Sequence, residues 1–155
     1  MEATWIVVAN AGRARLFSRL GYARRLSEIG DMVNTAVRLR TQDTEADELG
    51  QRSASKSRQG TGAATQPSDY EPHPSPAEYQ TEGFARSLAN HLRDARQQGR
   101  YAHLVLMAAP EFLGVLRKQL DPNVSGRIAA EIAKDYTHCT PVEILDHLEA
   151  HRMRK

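Results

Sequence analysis

Residues 101–120, YAHLVLMAAPEFLGVLRKQL, decide the fold. Leu104, Val105, Leu106 and Met107 form a near-continuous apolar run, the pattern of a central strand covered on both faces. Pro110 stands where a first helical residue belongs, because its missing N–H costs nothing there. Leu113, Leu116 and Leu120 then recur at helical spacing and put one apolar stripe on that helix. Ligands of open α/β sheets bind outside the carboxyl ends of such strands, so residues 108–111 are a natural place for a site. That turn carries one acid, Glu111, whose plainer role is to complement the positive end of the helix.

Before this stretch, Ser75-Pro76-Ala77-Glu78 has the spacing of a capping box with proline at the first helical position. Phe84, Leu88, Leu92 and Ala95 continue one apolar face until Gly99 stops the helix. At the start of the chain, residues 4–9, TWIVVA, form a β-branched and aromatic strand that ends at Asn10-Ala-Gly12, a turn signal. Residues 13–18 alternate and pair back on it, and residues 26–33 offer a third, more polar strand whose apolar positions are too irregular to set a register.

After Leu120, Asp121-Pro122-Asn123 reads as a turn. Ile128, Ala130 and Ile132 alternate as a fifth strand, and Thr140-Pro141-Val142-Glu143 repeats the capping box ahead of a last helix with Ile144, Leu145 and Leu148 inward. The predicted order is β-β-β, long loop, α-β-α-β-α in a single domain spanning residues 1–155. A parallel return from the first strand to the fourth through a helix gives a three-layer α/β/α fold with a ribonuclease-H-like mixed sheet of order 3-2-1-4-5.

Between Asn34 and Pro74 the apolar pattern disappears. About 40 residues without periodicity are uncommon inside a compact domain and are usually a functional loop or a segment ordered by a partner. Charge changes sign within it: Asp43, Glu45, Asp47 and Glu48 precede Arg52, Lys56 and Arg58.

The 155 residues suffice for a core without disulfides or metals, and 40% of them are hydrophobic at a mean hydropathy of -0.58. One cysteine, Cys139, excludes an internal disulfide. No apolar run approaches the ~20 residues of a membrane span, and the start, MEATWIVVAN, lacks a basic region ahead of its apolar run, so a cytoplasmic protein is expected. A net charge of +2 is too small to imply nucleic-acid binding by itself. Arg13, Arg15, Arg19, Arg24 and Arg25 nevertheless crowd the first 25 residues against a single acid, Glu2. Such a cluster can track phosphates, with Arg13 and Arg15 the foremost candidates, although solvated faces of edge strands and a helix end are the plainer reading.

Nuclease chemistry on a ribonuclease-H-like sheet needs clustered carboxylates on the first and fourth strands. TWIVVA and HLVLMA supply none. The six histidines are too scattered for a metal motif; His147 and His151, four apart on one helix, read as a solvated face. Cys139 beside His138 reads as an inert thiol, and Gly60-Thr61-Gly62 lacks the lysine and the strand–helix context of a phosphate loop. No metal or cofactor is expected.

TWIVVANAGRARLFS, the EYQTEGFARSLANHLRDARQQGRYAHLVLMAAPEFLGVLRKQL stretch and AEIAKDYTHCTPVEILDHL resemble the bacterial host attachment family, proteins required for attachment to host cells. That family in turn resembles the middle domain of archaeal and eukaryotic peptide release factors. There the loop after strand three carries a Gly-Gly-Gln tripeptide that positions water at the peptidyl-tRNA ester. The corresponding loop here, Asn34–Pro74, has Gly50-Gln51-Arg52-Ser53 and Gln59-Gly60-Thr61-Gly62 but no such tripeptide.

The resemblance therefore implies the fold and a ribosomal or tRNA setting, with a non-catalytic role. Arg52, Lys56 and Arg58 would contact phosphate, Gly50, Gly60 and Gly62 would allow close backbone approach, and Ser53 completes the family's acidic-then-Gly-Arg-Ser pattern. Gln51 and Gln59 are the groups an ester hydrolase would have to use. A protein partner in an attachment or envelope pathway, on which the same loop folds, is the remaining alternative.

Overall fold

The computed structural model describes residues 2–37, 39 and 75–154. Five strands, β1 (Ala3–Ala9), β2 (Arg13–Leu20), β3 (Ser27–Val33), β4 (His103–Ala108) and β5 (Ile128–Ile132), form one sheet of order β3-β2-β1-β4-β5. The first three make an antiparallel meander, and β4 and β5 run parallel to β1. The helices are α1 (Pro76–Gln97), α2 (Pro110–Gln119), a single turn α3 (Pro122–Ser125) and α4 (Pro141–Met153). This is the mixed sheet, and the order, that the sequence predicts.

Strand alternation divides the core in two. Trp5, Val7 and Ala9 of β1 and Leu104, Leu106 and Ala108 of β4 face Leu88, Leu92 and Ala95 of α1 and Phe112, Leu113 and Leu116 of α2. Ile6, Val8, Val105 and Met107 point the other way, onto Ile144 and Leu148 of α4. Both faces of the β1–β4 pair are thus dry, and the fold has three layers. Trp5 is wedged beside Tyr101, ring centroids 5.0 Å apart, with the Arg100 guanidinium 5.1 Å from its own centroid. Burial pushes the Tyr101 phenol up to about 12, and its hydroxyl donates to the Leu92 carbonyl at 2.7 Å.

The helix signals act as read. Ser75 Oγ accepts from Glu78 N while the Glu78 carboxylate accepts from Ser75 N, and Thr140 and Glu143 repeat the pair at α4. Gly99, at φ 69°, takes the left-handed conformation that ends α1.

Three local readings change. Asp121-Pro122-Asn123 opens the short helix α3 rather than a bare turn, with Asp121 Oδ1 accepting from Asn123 N. β3 has a register because it bulges: Leu16 pairs with Gly30 and Phe17 with Glu28, which leaves Ile29 as the extra residue. β5 carries a similar shift, Leu104 pairing with Ile128 but Val105 with Ala130. Ile128 is therefore turned to the α1 side while Ala130 and Ile132 pack on the α4 side, so the three do not share one face. The polar segment predicted from Asn34 to Pro74 lies outside the described residues except at its start, where Thr35–Val37 are already helical.

Leu106 is fully buried between β1 and α1. Replacing it by alanine is expected to lower the unfolding free energy by about 3 kcal/mol, through lost transfer energy and a residual cavity. Val142→Ala, at a 70% exposed position, should change it by less than about 0.5 kcal/mol. Urea denaturation of both variants measures the contrast.

Candidate functional site

At the carboxyl end of β1 the chain turns at Asn10, whose side chain works in both directions. Asn10 Oδ1 accepts from Gly12 N at 2.8 Å and Arg13 N at 2.9 Å, closing the β1–β2 turn. Asn10 Nδ2 donates to Asp135 Oδ2 at 3.0 Å and Thr137 Oγ1 at 3.2 Å, across 125 residues of chain. Thr137 is buried, and its N–H and hydroxyl both donate to Asp135 Oδ1, at 2.9 and 2.7 Å. Burial alone would push the Asp135 carboxyl up. The combined hydrogen bonds from Asn10 and Thr137, with His138 nearby, outweigh it and hold the group below the usual carboxylate range.

Arg15 continues the network inward. Its Nη1 donates to the carbonyls of Thr137 and Cys139 at 3.1 and 2.7 Å, and its Nε and Nη2 meet the two Glu28 oxygens at 3.1 Å each. Arg13 makes a second fork onto Asp31, at 3.0 and 2.8 Å, which holds that carboxyl below its ordinary range. β2 lies inside the sheet between β1 and β3, and alternation puts Arg13, Arg15, Phe17 and Arg19 on its α4 side. Arg15 is 9% and Arg19 6% exposed. The reading of these two as solvated edge-strand faces is overturned, because the strand is not an edge. Arg13 and Arg15, the two phosphate candidates, have their guanidiniums committed to acids and carbonyls of the same chain.

Asn34 completes this end of the molecule. Its N–H donates to Gly12 O at 2.9 Å, and its side-chain amide donates to Ala11 O at 3.0 Å and Gln80 O at 3.3 Å. One buried side chain thus ties the exit of β3, the β1–β2 turn and the first turns of α1 together. Gly50, Gln51, Arg52, Ser53, Lys56, Arg58, Gln59, Gly60 and Gly62 lie in the intervening segment, outside the described residues. The turn after β4 is held by Ala109 N donating to Ala9 O, and Glu111 is exposed in the first turn of α2.

Two further readings are corrected or extended. His147 and His151 are half-buried, not solvated: His147 stacks on Tyr136 with centroids 3.9 Å and planes 4° apart, and His151 Nε2 is buried without a hydrogen bond among the described residues. Cys139 is half-buried with its thiol pushed up by burial, then by Glu143. Among the described residues no three His, Cys, Asp or Glu side chains are grouped to hold a metal, and no helix is long and apolar enough to cross a membrane.

Arg15→Ala strands Glu28 and two carbonyls, and is expected to cost about 3 kcal/mol. Arg13→Ala breaks a half-exposed pair and should cost about 1 kcal/mol or less. Chemical denaturation at neutral pH separates the two. Asp135 and Asp31 are both depressed from the ordinary value of 3.8, so their stabilisation is complete above that value and is lost as pH falls through the lowered native values. Stability should therefore decline on acidification below about pH 4, and Asp135→Asn should flatten part of that decline in a pH series of unfolding curves.

A stretch of 68 residues is 34% identical to the uncharacterized protein RP470 of Rickettsia prowazekii (strain Madrid E). It takes in 43% of this chain and 45% of that protein, so the chain spans less than half the length of this curated relative. A family model described as protein required for attachment to host cells matches residues 5–148, from Trp5 in β1 to Leu148 in α4, and so includes Asn10, Arg15, Asn34, Asp135 and Thr137. The chain belongs to that family of proteins required for attachment to host cells.

Proposed function

We propose that this protein is a non-catalytic ribosome- or RNA-associated module of the host attachment family, acting in the cytoplasm through the segment between Asn34 and Ser75. The observation that carries the reading is the Asn34 clamp. It brings the residues on either side of that segment together, Asn34 Nδ2 to Gln80 O at 3.3 Å, on the rigid carboxyl end of β1 where open α/β sheets bind their ligands. Within the segment, Arg52, Lys56 and Arg58 supply phosphate-binding charge, and Gly50, Gly60 and Gly62 let backbone approach RNA closely. The resemblance to release-factor middle domains and the 3-2-1-4-5 sheet order support a ribosomal setting. Without the Gly-Gly-Gln tripeptide the role is binding, and the contribution to attachment is indirect.

Purified protein should co-sediment with ribosomes at low salt and be released as salt rises. The triple variant Arg52→Ala, Lys56→Ala, Arg58→Ala should bind more weakly and reduce the slope of log affinity against log salt by about two to three. Binding indifferent both to salt and to the triple substitution would overturn the proposal.

A further inference from the structure

The amino ends of β1, β4 and β5, opposite the Asn34 clamp, are rimmed by the β2–β3 turn, the α1–β4 and α3–β5 turns and the last turn of α4. Arginines stand in each of these places: Arg24 and Arg25, Arg96 and Arg100, Arg127, and Arg154. All are exposed except the half-buried Arg96, and none has a carboxylate partner among the described residues. Arg96 Nη1 donates to the Tyr101 carbonyl at 3.3 Å, and Arg100 lies over Trp5. Arg24 shares a hollow with Asp146 but forms no ion pair with it.

The acids of this end are already engaged. Glu2 faces His103 at 3.2 Å, Asp94 faces Arg93 at 3.3 Å, Glu149 meets Arg19 at 2.9 Å, and Asp121 caps α3. At the other end of the sheet the sign reverses: Glu78, Glu111 and Glu143 stand in the first turns of α1, α2 and α4, and Asp135 is bonded to Asn10. Cations at helix C-termini complement the dipole, which accounts for Arg96 and Arg154. Arg24, Arg25, Arg100 and Arg127 lie in turns and have no such role. Between the α1–β4 and α3–β5 turns a recess of about 390 Å³ is lined by Arg96, Gln97, Gly99, Asn123 and Arg127. Two guanidiniums and two amides converge there, with no acid and no apolar side chain.

We propose that this arginine rim is an RNA-binding surface, its guanidiniums following the phosphates of a duplex and the recess between Arg96 and Arg127 taking one phosphate with its ribose. Guanidiniums fork onto phosphate oxygens, and the Gln97 and Asn123 amides suit the ribose hydroxyls that distinguish RNA. From β2 to Arg127 ahead of β5 is three strand spacings, roughly 14 Å, enough to follow several phosphates of one strand. Tyr22, 80% exposed at the β2–β3 turn, offers a ring on which an unpaired base can stack. The rim is at the end of the sheet opposite the Asn34 clamp and does not depend on the segment between Asn34 and Ser75.

Fluorescence anisotropy of an end-labelled RNA duplex of about 16 base pairs, titrated with the full chain at several salt concentrations, tests this. Arg25→Gln, Arg127→Gln and Arg154→Gln together remove three exposed cations, so the urea midpoint should hardly move. Affinity at low salt should fall at least about tenfold, and the slope of log affinity against log salt by about two to three. The pair Arg86→Gln, Lys134→Gln, exposed cations away from the rim, should change affinity less than about twofold. The rim substitutions should weaken RNA by the same factor in a chain that also carries Arg52→Ala, Lys56→Ala and Arg58→Ala, so this inference and the role of the segment are read separately. No binding of the duplex at low salt, an affinity that the rim variant leaves unchanged, or an equal loss in the control pair would each overturn the inference. So would tighter binding to phosphatidylglycerol vesicles, the surface that the exposed Leu20 and Met153 would suit.

Discussion

The parallel pairing of β1 with β4 is the constraint on which the rest depends. Each strand alternates apolar residues to both sides, Trp5, Val7, Leu104 and Leu106 one way and Ile6, Val8, Val105 and Met107 the other. Such a pair is stable only if water is excluded from both faces, and a parallel connection demands a crossover of the length that α1 supplies. α1 and α2 meet the first demand on one face with long apolar stripes. On the other face the one long helix among the described residues is α4, and Ile144 and Leu148 are its buried residues. Among the described residues the two layers are therefore unequal, and the thinner one shapes the polar chemistry around it.

Where α4 does not reach, the covering of β2 is done by arginine. A guanidinium can shelter apolar surface with its stem and stacking plane, as Arg15 does 5.0 Å from the centroid of Phe17, but only if its charge is met. Arg13, Arg15 and Arg19 each find their own acid: Asp31 and Glu28 on β3, and Glu149 on α4. Replacing such pairs by apolar residues often changes total stability little. What they supply here is position. β3 has no buried residue of its own, so hydrophobic patterning cannot choose its register, and the forks Arg13–Asp31 and Arg15–Glu28 on the two sides of the bulged Ile29 do so instead. The carbonyls of Thr137 and Cys139 on Arg15 bring the segment before α4 to the same place.

These arrangements differ in how far they could be read from sequence. α1 was legible because Ser75, Pro76 and Glu78 form a local device and its stripe keeps one period; β4 and α2 were legible because a strand, a proline and a helix follow without interruption. Ile128 misled because a bulge inserts one residue, and an alternation rule has no means of seeing the partner strand that imposes it. Arg15 and Arg19 misled because arginine in a strand reads as surface until the strand's neighbours are known. Asn10 was visible as a turn residue, but its second role needs Asp135 and Thr137 from the far end of the chain, and only the spacing of Asp135 and Thr137, fit for a local side-chain turn, hinted at it. The candidate residues from Gly50 to Gly62 were chosen by charge and place in the chain, and lie outside the described residues.

The two ends of the sheet are built on opposite principles. At the carboxyl end, the Asn10 oxygen and amide, the Thr137 hydroxyl, the Asp135 oxygens and the Arg15 fork are taken up by one another, and a fully satisfied polar network resists rearrangement. A general acid or base there would first have to break bonds that already hold Asp135 in its charged form, so the network acts as a foundation for the Asn34 clamp rather than as a reacting group. At the amino end the balance is the reverse. Arg19 is as deeply buried as Arg15, yet its Nη1 meets Glu149 Oε1 at 2.9 Å without hydrogen-bond alignment. An ion pair held without such alignment gains less than a charge-assisted hydrogen bond does. The unequal covering of the β1–β4 pair thus yields a closed polar junction at one end and a looser ion pair between β2 and α4 at the other.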